Sequence, residues 1–312
     1  MAIFGLRIHS ISRGAGRSAT AAAAYRAGER IRDERSGRLH NYSGRDDVLY
    51  KAILLPTALA GSAPQWARER SALWNAAERR ELRRDARIAR EFQIALPAEL
   101  SPPQRLELAR RFARQIADRH HVVVDLAVHA PRESGDARNH HAHLLASSRE
   151  ITAAGFGAKA GLDMASAERA QRGLPAGIAE IRAIRASWAQ LTNEALAAAG
   201  LAARIDHRSL RAQGVDREPR PHIPYAAIQM ERRGQRSAVA DRIRERYRSR
   251  VAARLQGTRT SGAAAPPDLE QVRRQAREAW LALRRETDQP GGTQALQPTH
   301  DAKRGPNREF GS

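Results

Sequence analysis

The chain contains no cysteine. That excludes disulfides, zinc fingers and cysteine nucleophiles together, and it fits a reducing cytoplasm. Lysine is almost absent as well, with Lys51, Lys159 and Lys303 the whole complement. No stretch approaches the roughly 20 apolar residues of a membrane span. The opening MAIFGLRIHS lacks the apolar core of a signal peptide, so a cytoplasmic protein without membrane insertion is expected. There is no G-x-x-x-x-G-K-[ST], hence no P-loop motor, and no internal repeat.

What is present is arginine. The formal net charge is +20 over 312 residues, and the pI is about 11.5. Arginine meets phosphate as a planar fork, and so large a charge points to a polyanionic partner. A GC-rich genome also writes arginine and alanine, so charge supports nucleic-acid binding without establishing it. The length allows one sizeable domain plus a tail, or two small domains.

Residues 3–11 read as a strand, followed by the basic glycine turn of residues 13–18. Residues 19–30 read as an alanine-rich helix containing Tyr25. Residues 31–50 are polar and turn-rich. Residues 63–90 read as one long helix with Trp66, Leu73, Trp74, Ala77 and Leu82 on its apolar face. Residues 92–96 read as a short strand. Ser101-Pro102 opens the next helix with a cap and a first-turn proline. Residues 122–129 and 141–148 read as paired strands joined by a polar turn over 132–139. Residues 153–177 suggest a loop or lid, and residues 178–199 an amphipathic helix. From these, residues 1–225 are expected to form one domain. Residues 226–286 form an arginine-rich helical extension with a linker near 257–267, and residues 287–312 a disordered tail.

The most informative run is Asn139-His140-His141-Ala142-His143. Side chains alternate along a strand, so His141 and His143 share a face, roughly 7 Å apart, while His140 points away. His129 ends the neighbouring strand and can complete a set of three imidazoles. Neutral imidazoles leave a divalent ion's charge intact, which makes a strong Lewis acid. Nitrogen ligands favour Mn, Zn, Co or Ni by intrinsic affinity, and cellular abundance favours Mg or Mn. Structural sites are normally closed by four protein ligands, so three argue for an open site. His120 and His121 read as junction or DNA-facing residues.

Tyr25 has two readings from the residues alone: a ring packed in the core, or a nucleophile for a phosphodiester. Its setting favours the second. Arg13, Arg17, Ser18 and Arg26 surround it, and the glycine turn next to a helix N-terminus is a phosphate-binding arrangement. Glu91 could deprotonate Tyr25 or orient a metal-bound histidine.

Four segments together resemble the MobA/MobL (MobQ-type) relaxases of mobilizable and conjugative plasmids. They are Ser12-Arg13-x-x-Gly16-Arg17-Ser18 leading into Ala24-Tyr25-Arg26-Ala27-Gly28; Arg90-Glu91 running into Ala95-Leu96-Pro97; Ala127-Val128-His129 with Asn139-His140-His141-Ala142-His143; and residues 203–210 with Gln213-Gly214. The family usually has proline where this chain has His140. The resemblance covers residues 1–225. It implies an α+β fold of HUH type, a mainly antiparallel sheet flanked by helices. It implies a nickase that opens one DNA strand at a plasmid origin of transfer and stays joined to the 5′ phosphate through tyrosine. The strand is rejoined after passage through a type IV secretion channel. On this resemblance Tyr25 is the nucleophile, and His129, His141 and His143 hold a divalent metal. Glu91 helps to activate the site. Phosphate contact by Arg13, Arg17, Ser18 and Arg26 is expected from their setting around Tyr25 rather than from the resemblance. The implied partners are single-stranded origin DNA, accessory mobilization proteins and the secretion coupling protein. The alternatives are a rolling-circle replication initiator of the same chemistry, a basic DNA-binding protein with a structural metal, and a hydrolase using water.

Overall fold

The computed structural model describes residues 2–131, 136–260 and residue 278. Its contacts divide into two units, residues 1–217 and 218–312. In the first unit the strands are β1 (Leu6–Ser12), β2 (Arg30–Arg32), β3 (Leu39–Asn41), β4 (Val48–Leu54), β5 (Arg87–Ala95), β6 (Val124–His129), β7 (His141–Ser147), β8 (Arg149–Thr152) and β9 (Gly155–Lys159). Five of them build one sheet in the order β1-β5-β7-β6-β4, with every neighbouring pair antiparallel. The pairs β2–β3 and β8–β9 are separate small hairpins. The expected α+β class, a mainly antiparallel sheet between helices, is the one the chain adopts.

Helices cover both faces. On one face, Phe92, Leu126 and Leu144 pack with Phe112 and Ile116 of α3 (Pro102–His120) and Trp188 of α5 (Gly177–Ala198). On the other, Ile11, Ala89 and Leu145 pack with α1 (Ala19–Ala27) and α2 (Arg70–Arg80), which bring Ala19, Ala22, Ala23, Leu73 and Trp74. A short α4 (Ser166–Gln171) lies between β9 and α5 in the chain. Alanine along α1 lets that helix lie close to the sheet, which matters because α1 carries Tyr25. Ser18 caps α1, its Oγ accepting from Ala21 N at 3.1 Å. Gly28 ends it at φ 60°, the left-handed conformation that favours glycine. Ser101 and Gln104 form the capping box of α3.

Several sequence readings need correction. The helix drawn over residues 63–90 is a 3-10 turn at Gln65–Arg68 followed by α2, and β5 already begins at Arg87. The Arg13 guanidinium donates to the carbonyls of Glu81 (2.6 Å) and Arg83 (3.0 Å), holding this stretch out of helix, and Leu82 is exposed. Glu91 consequently lies inside β5 rather than before it. Residues 48–54, read as part of a turn-rich stretch or left unassigned, are the edge strand β4. His120 lies at the junction between α3 and β6, one of its two expected placements, and is buried rather than facing DNA. Within residues 153–177 the loop contains β9 and α4.

The second unit holds α6 (Tyr225–Arg232) and the arginine-dense α7 (Ala238–Thr260). Glu231 accepts from Arg244 Nη2 at 2.7 Å, tying the two helices together. The linker drawn near 257–267 begins inside α7. The rest of that linker, the helix drawn to residue 286 (residue 278 apart), the tail 287–312 and part of the turn at 132–139 lie outside the described residues. Among the described residues, no helix is long and apolar enough to cross a membrane.

Candidate metal and nucleophile site

The strand register assembles the histidines. His129 on β6 pairs directly with His141 on β7, and His143 lies two residues further along the same face. The three ring centroids are 4.9–5.3 Å apart. One ligand atom from each histidine lies within 4.8 Å of the others. This is the three-imidazole set drawn from the sequence. His140 lies outside it.

Each imidazole is held through one ring nitrogen. His143 Nδ1 meets Glu91 Oε1 at 2.6 Å, His141 Nδ1 meets the Asn139 carbonyl at 2.9 Å, and His129 Nε2 meets the Arg26 carbonyl at 2.7 Å. A carbonyl can only accept, so His141 donates through Nδ1 and His129 through Nε2. Such anchoring sets ring orientation and makes the second nitrogen of each ring the candidate metal-binding atom; that of His129, Nδ1, also has the Arg45 guanidinium 3.4 Å away. Burial pushes His129 down to about 4; the Arg26 carbonyl opposes this, and the positive neighbours reinforce it. It is therefore neutral at pH 7, the form that ligates a metal.

Glu91 is 1% exposed and is the hub of the polar end of this face. His9 Nε2 lies 2.6 Å from its Oε2. Arg26 grips both carboxylate oxygens, and His143 takes the remaining contact. Burial works to raise this carboxyl. The hydrogen bonds from His143, His9 and Arg26 outweigh it and hold Glu91 well below the usual carboxylate range. An ionised, fully engaged carboxylate is a poor proton acceptor and a good anchor.

Tyr25 is half-buried on α1. Its ring meets Tyr42 edge-on, with centroids 5.2 Å apart. The Arg45 guanidinium stacks over its face at 4.1 Å and donates to the Tyr25 carbonyl at 3.0 Å. The same guanidinium donates to Asp47 at 2.8 Å and reaches within 3.4 Å of His129 Nδ1. Burial works to discharge Arg45, but Asp47 and the Tyr25 phenol outweigh it and hold its pKa above the ordinary value. Arg45 thus touches both the tyrosine and a histidine of the cluster. The sequence reading missed it, along with Asp47 and His9. The available signal was the position of Arg45-Asp46-Asp47 immediately before an unrecognised strand.

The four expected phosphate contacts separate. Arg13 is buried against Glu78, with its Nε 3.0 Å from Oε2, and the protein's own groups occupy its guanidinium. Arg26 is held by Glu91 in the same way. The Ser18 hydroxyl caps α1 and donates to Asp33 at 3.0 Å. Arg17 is exposed, and among the described residues it has no side-chain partner.

With this geometry in place, known proteins supply a comparison. The MobA/MobL family model matches residues 17–233. Mobilization protein MobL of Acidithiobacillus ferridurans is 39% identical over 254 residues, 75% of this chain and 65% of its own length. Probable mobilization protein MobA of Bifidobacterium longum is 32% identical over 281 residues, 80% of this chain and 48% of its own. This chain spans less than two thirds of either relative. A solved chain reported as "Molecular Basis of Vancomycin Resistance Transfer in Staphylococcus aureus" superposes with a TM-score of 0.54 at 28% identity, covering 67% of this chain and 100% of that one.

Proposed function

Because the chain belongs to the MobA/MobL family, we propose that it is a relaxase that nicks one DNA strand at a plasmid origin of transfer and later rejoins it. The observation that carries this reading is the convergence of three histidines within 4.8 Å, linked through Arg45 to the face of Tyr25. A hydrolase using water would have no use for a tyrosine held in this way.

In the proposed reaction Tyr25 Oη attacks the scissile phosphorus and loses its proton. The P–O3′ bond breaks, and the departing 3′ oxygen gains a proton. The products are a 5′-phosphotyrosine ester and a free 3′ hydroxyl. The ester conserves the energy of the broken bond, so the reverse attack reseals the strand without a nucleotide cofactor. His129, His141 and His143 suit a divalent metal by donor type and spacing. Such an ion, Mg or Mn in cells with Zn, Co or Ni also accommodated, would supply Lewis-acid stabilisation of a non-bridging phosphate oxygen. Glu91 serves as the anchor of His143 rather than as the base, because it is already ionised and fully engaged. Arg45 fixes the Tyr25 ring and keeps a positive charge beside the phenol oxygen. Arg17 is the phosphate contact retained from the glycine turn.

We place this chemistry in residues 1–225 and assign the arginine-dense extension to nonspecific phosphate contact. The proposed partners are single-stranded origin DNA, accessory mobilization proteins and the secretion coupling protein, reached from the cytoplasm. The test is incubation of the protein with single-stranded oligonucleotides and manganese, followed by mass spectrometry of the adduct. A DNA–peptide link at Tyr25 is expected. Tyr25→Phe should lower adduct formation by more than about 1,000-fold and leave DNA binding nearly intact. Retained cleavage by Tyr25→Phe would favour the water-using hydrolase.

A further inference from the structure

A groove of about 460 Å³ runs from the start of β1 to the metal site, with His141 in its wall. Its other walls include Phe4, Arg7, Gln93, Asn139 and Arg185. The volume falls within the range of small-ligand pockets. Gly5 and Ala95 also line it and lie close together: a Cβ at Gly5 would sit 2.7 Å from the Ala95 Cβ.

The polar groups here differ from those of the neighbouring site. Arg13, Arg26 and Arg45 are all satisfied inside the protein. Arg7, Gln93 and Asn139 are not: among the described residues, none of these three side chains has a hydrogen-bond or ion-pair partner. No carboxylate lines the groove. Arg7 pairs with Gln93, and Gln93 with His143, in one row across three strands. Strands are spaced by roughly 5 Å, so the row leads directly from an exposed cation, past an amide, to a proposed metal ligand. The Phe4 face is occupied by the Arg185 guanidinium at 4.6 Å, so Phe4 is a wall rather than a stacking platform.

We propose that this groove receives the nucleotide adjoining the scissile phosphate, in single-stranded form. The inference rests on the relaxase reading above. The amides of Gln93 and Asn139 contact the edge of the base, and Arg7 contacts the phosphate on its far side. An amide presents a donor and an acceptor side by side, which matches the paired groups on a base edge. Those edges are open only when the strand is single. The groove therefore sets a base preference at one position beside the nick, whereas Arg7 adds affinity without preference.

The test uses the full chain with manganese and a single-stranded oligonucleotide library carrying a randomised window between fixed flanks. Adducts and released 3′-hydroxyl fragments are sequenced, so that each junction is read directly. The wild type should enrich one base roughly tenfold at a single position next to the junction. The double variant Gln93→Ala, Asn139→Ala should still form adducts, and its enrichment at that position should fall below about twofold with other positions unchanged. Adduct formation itself shows that the variant is folded. Unchanged enrichment in the double variant overturns the base contact. Arg7→Ala should raise the oligonucleotide concentration needed for half-maximal adduct, equally for every base, and leave the maximal yield in place. A lower maximum at unchanged half-saturation overturns the phosphate contact. Absence of any wild-type adduct would instead remove the relaxase reading on which the groove assignment depends.

Discussion

Glu91 and Asp125 occupy the same row of the sheet, one on each side of Leu145. Both are buried, and each is clamped by an arginine from an overlying helix, Arg26 on α1 and Arg70 on α2. Their chemistry diverges. Asp125 accepts from Arg70 Nε at 2.8 Å and from Trp74 Nε1 at 2.9 Å, and burial still pushes its carboxyl up. Glu91 has His9 and His143 in addition to its arginine, and it is held well below the usual range. One carboxylate is closed over by a tryptophan and ties helix to sheet. The other opens through His143 onto the histidine cluster. The same helix-to-sheet device is structural at one end of the face and, under the proposed function, supports the chemistry at the other.

The largest expected effect tests the structural half of this contrast. Asp125→Ala leaves the Trp74 N–H without its acceptor and the Arg70 guanidinium with Glu29 alone. Removing one partner of a buried ion pair costs about 3–5 kcal/mol, so the urea midpoint should fall sharply. Manganese affinity of the folded fraction should stay near wild type. If Asp125→Ala weakens metal binding as strongly as a substitution at Glu91, the two ends of the face are not separate.

Glu91→Gln addresses the other half. The side chain keeps its shape and loses its charge, so His143 and Arg26 lose their ionic anchor. Loss of such a supporting partner typically lowers metal affinity about 10–100-fold, and adduct formation should fall by at least as much. The readout is a manganese titration alongside the adduct assay. Unchanged affinity together with lost activity would return Glu91 to the role of base.

The contrast also shows what a sequence can disclose. The histidines were legible because strand alternation is local: it places His141 and His143 on one face whatever the rest of the chain does. Glu91 could be named, but its two possible roles could not be separated, because the deciding groups, His9 and Arg26, lie 82 and 65 residues away in sequence. Arg45 escaped notice for the same reason, since its contact with Tyr25 forms only when β4 takes its edge position. That strand was itself hidden, because an edge strand with alternate residues exposed carries a weak apolar pattern. The overlong helix at residues 63–90 marks the opposite failure. Its Arg, Glu, Leu and Ala content favours helix throughout, and what stops it is Arg13, reaching 68 and 70 residues ahead to the Glu81 and Arg83 carbonyls.

The smallest effect extends the contrast to imidazoles. His120 and His129 are both pushed down to about 4 by burial, but only His129 belongs to the site. His120 Nε2 has no hydrogen-bond partner among the described residues, and Glu180 Oε1 lies 3.6 Å away. Its ordinary value is near 6.5, so between pH 6.5 and 4 the unfolded chain binds a proton that the folded chain refuses. Stability therefore drops as pH falls through that window and levels off below it. His120→Leu removes this term and buries no unpaired nitrogen. Urea unfolding at pH 7 and pH 4.5 should show the difference between the two conditions shrinking by about 1–2 kcal/mol in the variant, with manganese affinity unmoved. A pH dependence identical to wild type would mean that the His120 proton is not excluded on folding.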